Sequence, residues 1–417
     1  MGKIRIVGLG PTDEGDLTQR AMDCLLDDTP KILRTDHHDS VAFLKKHRIP
    51  YTTYEYLYES KDDFQEIYSE IADDLLKRAA SGDVTYCVPG HPLIAEQSVL
   101  NIMEKTDNYE MINGMSFLEP VLTAVGRDPI SGLKLIDGDN FSDLDLDIHV
   151  DSIVTQVYNQ RIASSLKLAL SERYGDEHPV AVLEHAGSKR ESVRWLPVYE
   201  LDRNISYGHE TSLFVPKGEG QDLRSLVEVA RSLRGPGGCP WDQKQTHASM
   251  KQNVIEEAYE VVEAIEEDDP LALEEELGDL LFQVVLHSEI AREEGDFTLE
   301  SVSARIAEKL IRRHPHVFQG HYEDWETIKG EETGRVQLKD KLTHYRALPA
   351  LLHGQKALRL LMREGKIDDF QEFLQNYPDP VARGLVQWIY EAEKSDIDTE
   401  TAVKKLLHDF TCGLESN

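Results

Sequence analysis

The chain has 417 residues, 40% of them hydrophobic, and a net charge of −32 at neutral pH. At roughly 150 residues per domain, this length predicts two or three globular domains. So acidic a balance argues against a surface for duplex nucleic acid or for an anionic membrane, but leaves room for one local basic cluster that takes an anionic ligand. No run of about 18 apolar residues exists to span a membrane. Met1–Gly10 lacks the pattern of a signal peptide, and the scattered Cys24, Cys87, Cys239 and Cys412 form no CxxC pair for a disulfide framework or zinc site. The expected location is the cytoplasm.

Up to about residue 217, strand-like and helical runs alternate. Lys3–Gly8, Val84–Val88, Val180–Leu183 and Thr211–Val215 are short, apolar and β-branched, with helical patterns at Asp62–Ala80 and Asn159–Tyr174. This alternation predicts an α/β domain. The polar, turn-rich Pro216–Asp222 predicts its boundary.

Beyond the boundary the strand signals fade. Asp222–Arg234 reads as a helix, stopped by Gly235-Pro236-Gly237-Gly238 and followed by a Pro240-Trp241-Asp242 loop. In the next helix Val254, Ala258, Val261, Val262 and Ile265 recur at helical spacing. Asp269 and Pro270 fit the N-cap and first position of the helix after it, whose stripe is Leu273, Leu277, Leu280, Leu281 and Val284. Gly295 suits its C-terminal stop, Thr298 a further N-cap, and Pro315 that helix's end. After about residue 330 the sequence stays helical in character, without a readable motif or internal repeat.

Two acidic motifs lie on these consecutive helices, Glu256-Glu257-x-x-Glu260 and Glu275-Glu276-x-x-Asp279, and the short break between the helices predicts antiparallel packing that brings them face to face. Residues three apart share a helix face, so Glu257 with Glu260 and Glu276 with Asp279 make two pairs. Four carboxylates in one small space repel unless a cation offsets them, and Mg²⁺ is a hard ion suited to oxygen ligands and substrate phosphates. Two such ions about 4 Å apart would activate water for in-line displacement at phosphorus. Glutamate-rich helices more often are solvated faces. Here, however, the acids adjoin the apolar stripes, and Gly278 sits inside the second motif at a helix cost of about 1 kcal/mol. The third helix adds Lys309, Arg312 and Arg313, a basic face suited to phosphate. His314 and His316 flank Pro315 and read as structural or phosphate-adjacent. Trp241 and Trp325 are candidates for base stacking or for core and rim packing.

Residues 235–242, 256–265, 274–289 and 309–318 resemble, in order and spacing, the MazG nucleotide pyrophosphohydrolases. The resemblance implies Glu257, Glu260, Glu276 and Asp279 as catalytic Mg²⁺ ligands, with Mn²⁺ as an alternative ion. It implies Lys309, Arg312 and Arg313 at the phosphates and Trp325 near the nucleotide, with Asn253, Glu256 and Trp241 as further substrate-binding candidates. It also implies an all-α bundle, a homodimer, and conversion of a nucleoside triphosphate and water to the monophosphate and pyrophosphate. Leu348–Leu352 resembles the start of a second such module, but no second acid set follows, so residues 331–417 are expected to be a degenerate helical half.

Residues 4–11, 88–96, 112–118 and 154–174 resemble the tetrapyrrole (corrin/porphyrin) methylases. That likeness implies an S-adenosylmethionine and methyl-acceptor cleft with Gly8, Gly10, Pro11, Gly90, Pro92, Gly114 and Ser116 as candidate ligand positions. Two positions depart from the family pattern: the first loop reads GPTDEGD, and His91 replaces the usual Asp. The whole resembles a YabN-type fusion, with a methylase-like domain at 1–217, a MazG domain at 223–330 and an extension at 331–417. Two other readings are a tetrapyrrole-type methyltransferase regulated by a nucleotide-sensing MazG domain, and a nucleotide or metal sensor that does not hydrolyse.

Overall fold

The computed structural model describes residues 2–61, 63–203, 205–321, 338–345 and 348–415. The chain divides into two compact units, Met1–Asp222 and Leu223–Asn417.

The first unit carries two five-stranded sheets. In one, β1 (Ile4–Gly8), β2 (Lys31–Leu33), β3 (Tyr51–Thr53), β4 (Val84–Val88) and β5 (Tyr109–Ile112) lie in the order β3-β2-β4-β1-β5, every pairing parallel. Parallel strands are covered on both faces, which is why β1 and β4 read as continuous apolar runs rather than alternating ones. Helices α1 (Gln19–Leu26), α2 (Val41–Lys46), α3 (Glu55–Ser60), α4 (Phe64–Ala79), α5 (Gln97–Lys105) and α6 (Leu118–Val125) connect these strands or follow them. Asp63 caps α4 by accepting from the Gln65 and Glu66 amides, which starts the helix where the sequence changes from turn to periodic pattern.

The other sheet joins β6 (Leu133–Asp137), β7 (Asp151–Thr155), β8 (Pro179–Glu184), β9 (Ser192–Pro197) and β10 (Thr211–Val215) in the order β6-β7-β10-β8-β9. Only β6 and β7 run parallel; the other pairings are antiparallel. Ile162, Ala163, Leu166 and Leu170 of α7 (Gln160–Tyr174) pack into the apolar cluster that also holds Val154, Val182 and Leu213 from the sheet. Loops from the carboxyl ends of β1, β2 and β4 gather on one edge of the parallel sheet, where open parallel sheets place ligands.

A buried charge near the start of β2 is held by a close ion-pair cluster. Lys31 of β2 is 3% exposed, and its ammonium sits 2.7 Å from Asp27, which also takes the Arg5 guanidinium at 2.5 Å. Burial pushes the Asp27 carboxyl up, but hydrogen bonds from Lys31, Thr29 and Arg5 outweigh it and hold the group well below the usual carboxylate range.

The second unit has no strand among its described residues. It runs α8 (Leu223–Arg234), α9 (Lys251–Glu266), α10 (Pro270–Glu294), α11 (Leu299–Arg313), α12 (Pro315–Phe318), then α13 (Leu338–Tyr345), α14 (Ala350–Arg363), α15 (Ile367–Gln375), α16 (Pro380–Lys394) and α17 (Thr399–Glu415). Asp268 takes a left-handed φ of 54° in the α9–α10 turn. The Asp269 side chain then accepts from the Leu271 and Ala272 amides at 3.0 and 3.2 Å, with Pro270 entering the helix behind it. Gly295 ends α10 in the left-handed conformation and Thr298 caps α11. Asp379 and Pro380 start α16 in the same way, although α16 has 15 residues against 25 in α10.

The packing has a core side and an open side. Val227 and Ala230 of α8 meet Val285, and Met250 meets Leu286 and Ile290. Val262, Ile265, Leu277, Leu281 and Val284, which the helical periodicity places on packing stripes, are exposed in the single chain. Tyr259 of α9 donates to Glu400 of α17 at 3.3 Å and lies under the Lys404 ammonium.

The Asp27 cluster carries a stability expectation. A carboxyl whose folded pKa is depressed stabilises above its unfolded pKa, near 4, and loses that contribution as pH falls through the folded value. Asp27→Asn leaves the buried Lys31 without its anionic partner and is expected to cost about 1–3 kcal/mol. Thermal unfolding of the intact chain at pH 7 should show a first-unit transition lowered by about 2–4 °C per kcal/mol, with less further loss on acidification than in the wild type.

Candidate functional site

The second unit brings the acids together. Carboxylate oxygens of Glu257, Glu260 and Glu276 lie within 4.8 Å of one another. The first two project from α9 and the third from α10, so the cluster depends on the hairpin's register. Asp279, the fourth predicted ligand, lies one turn beyond Glu276 and acts on both Glu257 and Glu276 through its charge. Burial, then Asp279 and Glu260, push the Glu257 carboxyl above its usual range. Slight desolvation, then Glu260, Asp279, Glu275 and Glu263, do the same for Glu276. Such a set wants a cation. Its donors are all hard oxygens, and their crowding fits Mg²⁺ or Mn²⁺ better than a softer metal. Glu256 is exposed on α9, beside the cluster rather than in it, and Asn253 is half-buried one turn before Glu257.

The loop before α9 is anchored to α10. Gly238 has no room for a side chain, because a Cβ there would strike the Ser232 and Leu233 carbonyls. Arg234 donates to the Asp242 carbonyl at 2.6 Å and the Gln245 carbonyl at 3.2 Å while pairing with Glu293 at 2.7 Å. Trp241 is 55% exposed on this loop, so it is not a core aromatic. Lys309, Arg312 and Arg313 occupy the last turns of α11, and Lys309 and Arg312 line a shallow hollow with Arg305 and Ile306. Trp325 lies outside the described residues. His314 Nδ1 donates to the Leu310 carbonyl, 2.8 Å away, which ties it to the helix end.

The first unit holds a cleft of about 350 Å³ between the carboxyl ends of its two sheets. Pro11 and Gly90 line it, as does His91 at the position that departs from the methylase pattern. Gly8, Gly10 and Gly114 form the backbone junction behind that lining. Gly10 and Gly90 exchange amide hydrogen bonds, and a Cβ on Gly8 would stand 2.5 Å from the Gly90 oxygen and 2.6 Å from the Gly114 nitrogen. Pro92 is buried between the lining residues His91 and Ile94 and does not itself line the cleft. Ser116 is buried and accepts from the Leu118 amide while donating to Glu119, so its hydroxyl is engaged at the start of α6.

Sequence reasoning did not single out several groups that the fold brings to this cleft. Arg34, at the end of β2, is paired with the buried Glu96 at 3.3 Å. Burial works against both charges: Glu96 outweighs it for Arg34, whose guanidinium is held more firmly protonated, whereas burial still leaves the Glu96 carboxyl above its usual range despite Arg34. Ala95, Gln156 and His185 line the cleft with positive φ of 50–60°, and strain in non-glycine residues concentrates where a site needs it. No sequence pattern announces these conformations. Glu96 could have been found, since it closes the 88–96 motif.

Comparison with known proteins matches residues 3–202 to the tetrapyrrole (corrin/porphyrin) methylases and residues 245–318 to the MazG nucleotide pyrophosphohydrolase domain. The uncharacterized protein YabN of Bacillus subtilis is 38% identical over 374 residues, covering 85% of this chain and 76% of its own. The nucleoside triphosphate pyrophosphohydrolase/pyrophosphatase MazG of Thermotoga maritima is 52% identical over 123 residues, 28% of this chain and 48% of that protein. An Escherichia coli nucleoside triphosphate pyrophosphohydrolase is 38% identical over 183 residues, 42% of this chain and 68% of its own. The likeness to YabN runs through both matched regions, and the chain therefore belongs to the YabN-type family, which joins a tetrapyrrole methylase-like domain to a MazG domain.

Proposed function

We propose that the second unit hydrolyses nucleoside triphosphates to the monophosphate and pyrophosphate in the presence of Mg²⁺, or Mn²⁺ in its place. The observation that carries this reading is the convergence of Glu257, Glu260 and Glu276 within 4.8 Å, with Asp279 acting on the same group. These four residues would hold the metal, which when bound would polarise the phosphate and supply an activated water. Lys309, Arg312 and Arg313 take phosphate oxygens. Trp241, Asn253 and Glu256 border the base and sugar, and Trp325 joins that group by resemblance. Water replaces pyrophosphate on the α-phosphorus: one P–O bond forms, one breaks, and pyrophosphate leaves.

Three assignments accompany this reaction. The cleft of the first unit takes S-adenosylmethionine and a methyl acceptor of tetrapyrrole type, supported by the strained lining at Ala95, Gln156 and His185. The exposed apolar face of α9 and α10 joins a second copy of the chain in a homodimer, supported by the exposure of Leu277, Leu281 and Val284. Residues 331–417 are a degenerate second half, supported by the repeated Asp-Pro helix start at Asp379 and by the shortened α16.

Glu257→Gln is expected to reduce pyrophosphate release from ATP, GTP and dATP by the intact chain on the order of 100-fold or more, since a bound metal contributes several kcal/mol at the transition state. Lys309→Ala should raise the nucleotide KM roughly 10-fold or more, the cost of a charged hydrogen bond. No turnover of any nucleotide at millimolar Mg²⁺ would reject the reaction.

The raised carboxyls give a second expectation. A group whose folded pKa is raised lends stability below its unfolded pKa and loses it as pH rises through the folded value. In metal chelator, the melting temperature of the second unit should therefore fall as pH climbs through the carboxylate range and beyond. Added Mn²⁺ should restore it at neutral pH, and Glu257→Gln should flatten both responses. For the first unit, calorimetry with S-adenosylmethionine and the intact chain should show binding; its absence would leave that unit a scaffold.

A further inference from the structure

Behind the acid cluster lies one polar side chain that the reaction above does not use. Gln283 of α10 stands one turn beyond Asp279 and two turns beyond Glu276, on the same stripe of the helix. It is 5% exposed, between the buried stretch Val285–Leu286 and the carboxylates. Its amide nitrogen donates to Glu257 Oε1 at 3.3 Å. Its own carbonyl oxygen is fully buried and has no hydrogen-bond partner.

The two ends of this amide ask for different explanations. The donor end has one: it fixes one carboxylate oxygen of a residue on the neighbouring helix. The acceptor end is a cost to folding as it stands, and an apolar side chain of equal size would avoid that cost. Buried polar groups left open in this way belong to networks that something else completes. Mg²⁺ retains several of its waters when carboxylates bind it, and those waters are strong donors.

We infer that Gln283 is a positioning residue for the metal site: its amide N–H group orients Glu257, and its carbonyl accepts from a water that enters with the cation. The inference rests on the metal-dependent reading of the acid cluster. Residues that orient metal ligands commonly change metal affinity by about 10–100-fold when removed. A residue that merely filled the core would change stability instead.

The test is Mn²⁺ binding to the intact chain by calorimetry without nucleotide, with Gln283→Met as the first variant. The expected result is a dissociation constant raised about 10–100-fold, while the melting temperature in chelator is unchanged or higher because the open acceptor is gone. Gln283→Asn keeps an amide but is one methylene shorter, so it should also weaken Mn²⁺ binding; it is the variant to read if Gln283→Met does not fold. Mn²⁺ affinities within twofold of wild type in the folded variants would overturn the inference. A wild-type chain that binds Mn²⁺ but releases no pyrophosphate would reject the proposed reaction and leave this inference to be decided by the binding data. A wild-type chain that binds no Mn²⁺ would overturn both.

Discussion

The second unit is organised around a repulsion. Four carboxylates from two helices are gathered in one place, and desolvation followed by their mutual charge raises Glu257 and Glu276 above the ordinary carboxylate range, so other contacts must keep α9 and α10 in register. The turn does part of this through Asp268, Asp269 and Pro270. The far end of α10 is tied instead to α8. There Glu289 sits buried between Arg231 and Arg292, and Glu293 takes Arg234. These ion pairs lie near the opposite end of α10 from the acids, where they can anchor the helix without neutralising the cluster. A cluster that keeps its negative charge, as the proposed metal site would, needs its stabilising charges elsewhere.

The first unit meets a related constraint with different means. Arg34 and Glu96 are both desolvated beside an open cleft, and each is tolerable only because the other is there. Removing either would leave an uncompensated charge, which generally costs more than the pair contributes. The pair thus fixes the end of β2 against the loop after β4 and gives that side of the cleft a fixed polarity. Around it, Ala95, Gln156 and His185 hold backbone conformations that a relaxed loop would abandon.

Much of this was legible in the residues, for identifiable reasons. Helices with a polar cap and a proline or glycine at their ends, such as Pro270–Glu294, declare themselves because each terminus needs a specific chemistry. The acid pairs were legible because three-residue spacing on a helix converts directly into a shared face. Strands β2 and β3 were not, since three residues are too few to show a period. The cleft was only half visible: its glycines are local signals, while Arg34, Gln156, His185 and Glu210 meet there through tertiary folding alone. Gln283 is a similar case, for its meaning depends on a bond to a residue 26 positions away.

The junction of Gly8, Gly90 and Gly114 has a consequence for how such a cleft can change. Three loops touch there through main chain alone, with no space for even a methyl group on Gly8. The back wall of the cleft is therefore closed to substitution. Only the rim, where His91, His185 and Arg190 present their side chains, is free to vary. A lineage that acquired a new ligand in this fold would keep its floor and rewrite its edge, so relatives with different ligands would look most alike where the ligand is deepest.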